Sequence, residues 1–266
     1  MQRMGWLITM AIAGGCGGEF ILVTPDVAAP AGSDVAVVVR LQRREFWRYA
    51  PALAESALTF QLADGPFRAA RTDKAGYAAV ALNLPDRVGR YDIAIHHQDT
   101  LGDTVSGTVS VYVLDPDRPA VLVDLDSLPT AGKHAPAAAR ALTRIAQDTQ
   151  VVYGTHRHAA APAQARGRLA KGRFPPGPVL SYAAGDPWYT LSRWRKRQPG
   201  AADFIKARLP NLRWGIAAED DEAEAFLRAG LTVVGVGPLA VERSDARKAT
   251  FVRAKSWADV ALPPGQ

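Results

Sequence analysis

A change of hydrophobic period near residue 115 constrains this chain more than any other feature. Before it, apolar and polar residues alternate. In "YDIAIHH" (91–97) and "TVSVYVL" (108–114) every second side chain falls on one face, the period of half-buried antiparallel strands. "DVAVVVRLQ", "SALTFQLA" and "YAAVALNLP" add further short strands, with Gly, Pro and Asp between them, so residues 20–114 predict an antiparallel β-sandwich. After the turn-rich "LDPDRP" (114–119) the grammar changes. Short apolar runs at 120–124, 150–154, 178–182, 213–218, 232–236 and 250–253 alternate with the helical patterns "APAAARALTRIAQ", "APAQARGRLAKG", "GAADFIKARL" and "DDEAEAFLRAG". That alternation predicts an α/β domain over 119–262, a parallel sheet covered on both faces. Pro136 sits where a helix begins, and Gly230 follows "FLRA" where a C-terminal cap belongs. The linker is expected to separate two independently packed units.

The chain has 266 residues, 48% of them hydrophobic, enough for packed cores and incompatible with a disordered chain. Its net charge of +6 is scattered among acids, and the one dense basic run is "RWRKR" (193–197). That distribution reads as solvated surface rather than a nucleic-acid stripe, so no nucleic-acid partner is expected. Cys16 is the single cysteine, which excludes an intramolecular disulfide and a thiolate zinc cluster. "TAGKHAP" has the Gly-Lys of a phosphate loop without its upstream glycine or following Ser/Thr, and neither Gly-x-Gly-x-x-Gly after a strand nor Gly-x-Ser-x-Gly occurs.

The start, "MQRMGWLITMAIAGGCGG", has a basic Arg3, a short apolar stretch from Trp6 to Ala13, and small residues before Cys16. This is the form of a secretory signal, too short to span a membrane. "IAGGC" resembles the bacterial lipoprotein lipobox, although Ala13 stands where a larger aliphatic residue is commoner. The resemblance implies removal of residues 1–15, lipidation of Cys16 and a lipid-anchored place in the bacterial cell envelope. In the sandwich region, "RTDKAGYAAVALNLPDRVGRYDIAIHH" resembles bacterial immunoglobulin-like modules, with a Thr-Asp-x-x-Gly-Tyr-Ala turn and then a Pro-x-x-x-Gly-x-Tyr turn, each leading into a strand.

"AVLVDLDSLPT" (120–130) carries the chemistry. In an open parallel sheet ligands bind beyond the carboxyl ends of the strands, so Asp124 and Asp126 lie either in a binding crevice or in a solvated turn. Two oxygen donors at such an edge suit a hard cation such as Mg²⁺ that bridges to phosphate.

"AVLVDLDSLP", "QVVYGTHRHA", "PPGPVLSY", a basic segment, and "LRWGIAAEDDEAEAFLRAG" follow one another in the order of the four motifs of the haloacid dehalogenase phosphatase superfamily. "VVYGTHRH" and "FPPGPVLS" look most like its lipin and actin-patch phosphatidate phosphatase branches. The resemblance covers residues 119 to about 260 and implies a capless domain with Mg²⁺ as cofactor. It makes Asp124 the nucleophile, Asp126 the general acid and base, and Thr155 a hydrogen-bond donor to the phosphoryl oxygens. Lys196 would neutralise the phosphate, with Lys206 as competitor, and Arg157 would contact the substrate phosphate. His156 and His158 read as surface polar residues. Two departures stand out: Leu128 replaces the first motif's threonine, and Ala218 occupies the fourth motif's metal-binding aspartate, leaving Glu222 as the second acid. Glu219 or Asp220 would have to substitute for the missing carboxylate, although acids at a helix N-terminus need no function. Two functions are therefore expected: a Mg²⁺-dependent phosphomonoester hydrolase at a membrane surface, or a degenerate relative that binds a phosphorylated lipid headgroup, small molecule or protein.

Overall fold

A computed structural model describes residues 19–44, 50–62, 65–156, 162–181, 201–239 and 250–264. The molecule is rich in β-structure, with antiparallel sheets followed by a parallel one. Eight strands form the first part: β1 (Glu19–Val23), β2 (Val27–Pro30), β3 (Asp34–Arg44), β4 (Ala57–Leu62), β5 (Arg68–Arg71), β6 (Tyr77–Asn83), β7 (Gly89–Gln98) and β8 (Thr104–Leu114). They pair as two sheets, β1-β3-β6 and β2-β8-β7-β4-β5, antiparallel except for the parallel β2–β8 pair. Alternating residues such as Val37, Val39 and Leu41 of β3 meet Ile93 and Ile95 of β7 and Val109, Val111 and Val113 of β8 in a core between the sheets.

Local chemistry sets the turns. Asp73 accepts the N–H groups of Ala75 and Tyr77 on one carboxylate oxygen, at 2.8 and 2.9 Å. Gly76 then takes φ +79°, where any Cβ would also lie 2.6 Å from the Leu41 carbonyl oxygen. Before β7, the Tyr91 hydroxyl donates to the Arg87 carbonyl at 2.8 Å, tying the Pro85–Tyr91 turn.

The second part contains β9 (Ala120–Asp124), α1 (Ala135–Ile145), β10 (Gln150–Thr155), α2 (Pro162–Lys171), β11 (Val179–Ser181), α3 (Ala201–Arg208), β12 (Leu212–Ala217), α4 (Asp220–Arg228), β13 (Thr232–Val236) and β14 (Phe251–Ala254), then a 3₁₀ turn at Trp257–Asp259. All six strands are parallel, in the order β11-β10-β9-β12-β13-β14. Numbered along the chain this is 3-2-1-4-5-6, the doubly wound arrangement, whose connections change direction between β9 and β12. Alternation along β9 serves both faces. Val121 and Val123 pack with α1, α2 and Trp257, while Ala120 and Leu122 pack with α3 and α4. Helix α4 closes with Gly230 at φ +71°, its N–H on the Leu227 carbonyl and the Leu231 N–H on that of Phe226, a Schellman cap. Among the described residues no helix is long and apolar enough to cross a membrane.

The two parts have separate cores and are also packed against each other. Strand β8 is buried on both faces near its end. Val109, Val111 and Val113 enter the sandwich core, and Tyr112 and Leu114, with Ala28, enter the α3–α4 side of the parallel-sheet core. The linker is also tied down. Gln150 bonds Asp115 N–H and the carbonyls of Asp115 and Arg118 at 2.8 Å each, and Asn211 donates to the same two carbonyls. A buried ion pair completes the junction. Asp26, 4% exposed, pairs with Arg166 of α2 and accepts the Val179 N–H at 3.0 Å.

Candidate functional site

Asp124 closes the central strand β9 at the carboxyl edge where the sheet's connections reverse, the position at which doubly wound folds form a ligand crevice. The ladder continues one residue further, Leu125 N–H to Gly154 O at 2.8 Å, and then the chain turns. Asp126 N–H donates back to Asp124 Oδ1 at 3.0 Å, folding the "DLD" stretch into a compact loop. Asp124 is 2% exposed, and its carboxyl is pushed up to about 6, first by burial and then by the charges of Glu222 and Asp126. Hydrogen bonds from the Ser127 hydroxyl and Asp126 N–H oppose the shift.

Both oxygens of Asp126 are engaged by the end of β10. Thr155 Oγ1 donates to Oδ1 at 2.9 Å, and His156 N–H donates to Oδ2 at 2.7 Å. The His156 ring then reaches α4, where Nε2 lies 2.8 Å from Glu222 Oε2. A carboxylate only accepts, so His156 carries its proton on Nε2. Glu222 sits in the first turn of α4 and is 2% exposed, with the His156 ring against its carboxyl group. His156 thus joins the acid after β9 to the acid of α4, the two groups between which the resemblance would place a metal. Reading it as a surface polar residue was mistaken. Its adjacency to Thr155 at a carboxyl strand end was the available signal.

Beyond β12, Ala218 N–H donates to Ser127 Oγ at 3.3 Å, so the loop after that strand is closed by a backbone-to-hydroxyl bond. Ser127 links Asp124 to Ala218, a role sequence reasoning missed. Glu219 is exposed at the start of α4, with Asp220 behind it as the first helical residue. The Mg²⁺ set Asp124, Asp126, Glu222 and Glu219 is therefore not assembled as a metal shell. Among the described residues, no three His, Asp or Glu side chains converge closely enough to hold an ion. The described residues alone do not make a shell for the implied Mg²⁺.

Lys206 is not a site residue. Its ammonium donates to the carbonyls of Ala229 and Gly230 at 2.9 Å each, beside the start of β13, the opposite edge of the sheet from Asp124. There it borders an open cleft of about 350 Å³ with Arg213, Trp214, Thr232 and Pro263. Arg157, His158, Lys196 and Cys16 lie outside the described residues.

No family model matches the chain, and no curated protein matches it. Solved structures similar to it include the D00-D0 domain of intimin, 16% identical over 36% of this chain and 46% of that one, with a TM-score of 0.25. A bacterial immunoglobulin-like domain from the M. primoryensis ice-binding adhesin is 19% identical over 37% of this chain and 96% of that one, TM-score 0.24. XAC1771, a carbohydrate acetylesterase from Xanthomonas citri, is 14% identical over 80% of this chain and 58% of that one, TM-score 0.36. The chain spans about half the length of the intimin and esterase structures. The immunoglobulin-like similarities each cover about a third of the chain, and at these TM-scores none of the likenesses bears on activity.

Proposed function

We propose that the α/β domain is a lapsed phosphohydrolase of haloacid dehalogenase type that binds a phosphorylated ligand without hydrolysing it, with the immunoglobulin-like sandwich as adaptor and a lipid on Cys16 as envelope anchor. The observation that carries this reading is His156, whose backbone and ring hold Asp126 and Glu222 together. An imidazole occupies the bridging role that hydrolysis assigns to a divalent ion, and Ala218 supplies no carboxylate to recruit one. The strand order, the position of Asp124 at the reversal and the Thr155–Asp126 bond support common architecture with the superfamily. Arg157, the next residue after His156 in the sequence, is the cation assigned to the phosphate.

The hydrolase reading keeps one favourable observation, a buried Asp124 beside Asp126 at the edge where a nucleophile belongs. A direct measurement separates the two. Phosphate release from phosphatidate and from an aryl phosphate should stay at background with and without Mg²⁺. Meanwhile protein produced from residue 17 onward, which has neither leader nor lipid, should be retained by phosphatidate vesicles and not by phosphatidylcholine vesicles. Release that depends on Mg²⁺ restores the hydrolase, and equal retention on both vesicles removes the binder.

A further inference from the structure

Glu19 pairs with Arg44 at one end of the sandwich, and the Phe20 ring meets the His97 ring edge-on at 5.1 Å. His97 is the penultimate residue of β7, so Glu19, the first described residue, lies at the end that carries the β7–β8 turn. That turn is a fixed knuckle. Asp99 Oδ1 accepts the N–H groups of Leu101 and Asp103 at 2.9 Å each, Asp99 N–H donates to Asp103 O, and Gly102 N–H donates to Asp99 O. The knuckle holds Leu101 80% exposed, the most exposed large apolar side chain among the described residues.

The candidate site opens toward the same end. Strand β8 runs away from the knuckle to Leu114, and the linker then reverses the chain. Gln150, the first residue of β10, is bonded at Asp115. Val179, which pairs with Tyr153 further along β10, is bonded at Asp26, next to the Val27 that pairs with Val111. The parallel strands therefore run back along the sandwich, opposite to β8. Their carboxyl ends, with Asp124, Thr155 and His156, face the side where Glu19 enters.

Cys16 precedes Glu19 by three residues, and three residues span at most about 10 Å. We propose that the knuckle end of the sandwich rests on the lipid bilayer, with Leu101 at its surface, so that the candidate site opens toward the membrane. This rests on Cys16 being lipidated. Charge does not select the lipid. Among the described residues at this end, Arg43, Arg44, Arg71 and Lys74 are offset by Glu19, Glu55, Asp73, Asp99 and Asp103, so the proposed contact is with the bilayer as such rather than with anionic headgroups.

The test uses the full chain from a bacterial envelope, reconstituted in vesicles with a nitroxide quencher at headgroup depth. A fluorophore is placed at Leu101→Cys or, at the opposite end of the sandwich, at Phe67→Cys, which replaces a residue also 71% exposed. Cys16 is the only natural cysteine, and its lipid thioether leaves the introduced thiol as the sole labelling site. Quenching at position 101 should exceed that at 67 several-fold, equally in zwitterionic and anionic vesicles. Equal quenching at both positions, stronger quenching at 67, or quenching at 101 only with anionic lipid overturns the proposal. The mass of the N-terminal peptide separates the failures. A lipidated Cys16 with an unquenched 101 overturns the orientation alone, and an unmodified Cys16 overturns the anchor and the orientation together.

Discussion

Replacing Asp124 by Asn tests whether the centre of the candidate site faces a cation. Burial and the charges of Glu222 and Asp126 raise its carboxyl from 3.8 to about 6, roughly two units at about 1.4 kcal/mol each, or about 3 kcal/mol. The sign follows from the direction of the shift. Below pH 3.8 the group is protonated in both folded and unfolded chains and costs nothing. Between pH 4 and 6 the unfolded chain ionises first, and above pH 6 the native state carries the whole penalty. Asn is neutral at every pH, and its carbonyl oxygen still accepts the Asp126 N–H that now reaches Asp124 at 3.0 Å. It gives up the stronger hydrogen bond a carboxylate makes with Ser127. Asp124→Asn should therefore gain about 1–3 kcal/mol at pH 7.5, on the order of 3–10 °C in melting temperature, and the gain should vanish by pH 4. Urea melts at pH 4, 6 and 7.5, each with and without Mg²⁺, read this directly. A variant less stable than the wild type at pH 7.5, or Mg²⁺ that stabilises the wild type and not the variant, would mean that a cation compensates Asp124, and the lapsed-site reasoning would be wrong.

Asp26→Ala removes one partner of the buried pair between sandwich and α2 and leaves Arg166 and the Val179 N–H without their acceptor. Denaturant melts should show a loss of about 1–3 kcal/mol, since Arg166 is 22% exposed and can reach water, and an unchanged melt would show that the pair does not join the two halves. Gly177→Ala would drive a Cβ into the Val151 carbonyl oxygen, a backbone atom that no rotamer change can relieve. It should cost about 1–3 kcal/mol in the same assay, and an unchanged melt would count against the packing of β11 on β10.

The strands and helices were legible because the code for each is local. "GRYDIAIHHQ" has the period-two pattern and forms β7 over those residues, and "AVLVD" is a short, uniformly apolar run of the kind a strand covered on both faces requires. The junction was not legible. "VYVL" at the end of β8 reads as the tail of an amphipathic strand, and nothing in it says that Tyr112 and Leu114 will be covered by another sheet's helices. The site divided in the same way. Asp124 and Asp126 follow an apolar run and could be placed at a strand edge. His156 meets Glu222 across 66 residues, and that meeting depends on how α4 sits over the edge rather than on either neighbourhood. Lys206 went astray because a helix pattern fixes which residues share a face and says nothing about which end of the sheet that face overlooks.

The double burial of β8 makes the two halves unequal partners during folding. The first half can close its own core through Val109, Val111 and Val113 as soon as β8 has emerged, as N-terminal units generally do. What it then presents is an unfinished side, with Ala28, Tyr112 and Leu114 uncovered until β9, β10 and the α3–α4 layer arrive. Dependence runs the other way as well, since the parallel sheet without its predecessor lacks part of one wall. A fragment ending at residue 118 should therefore be a folded but adhesive particle, prone to pairing through that side, whereas a fragment starting at residue 119 begins life with a hole in its core.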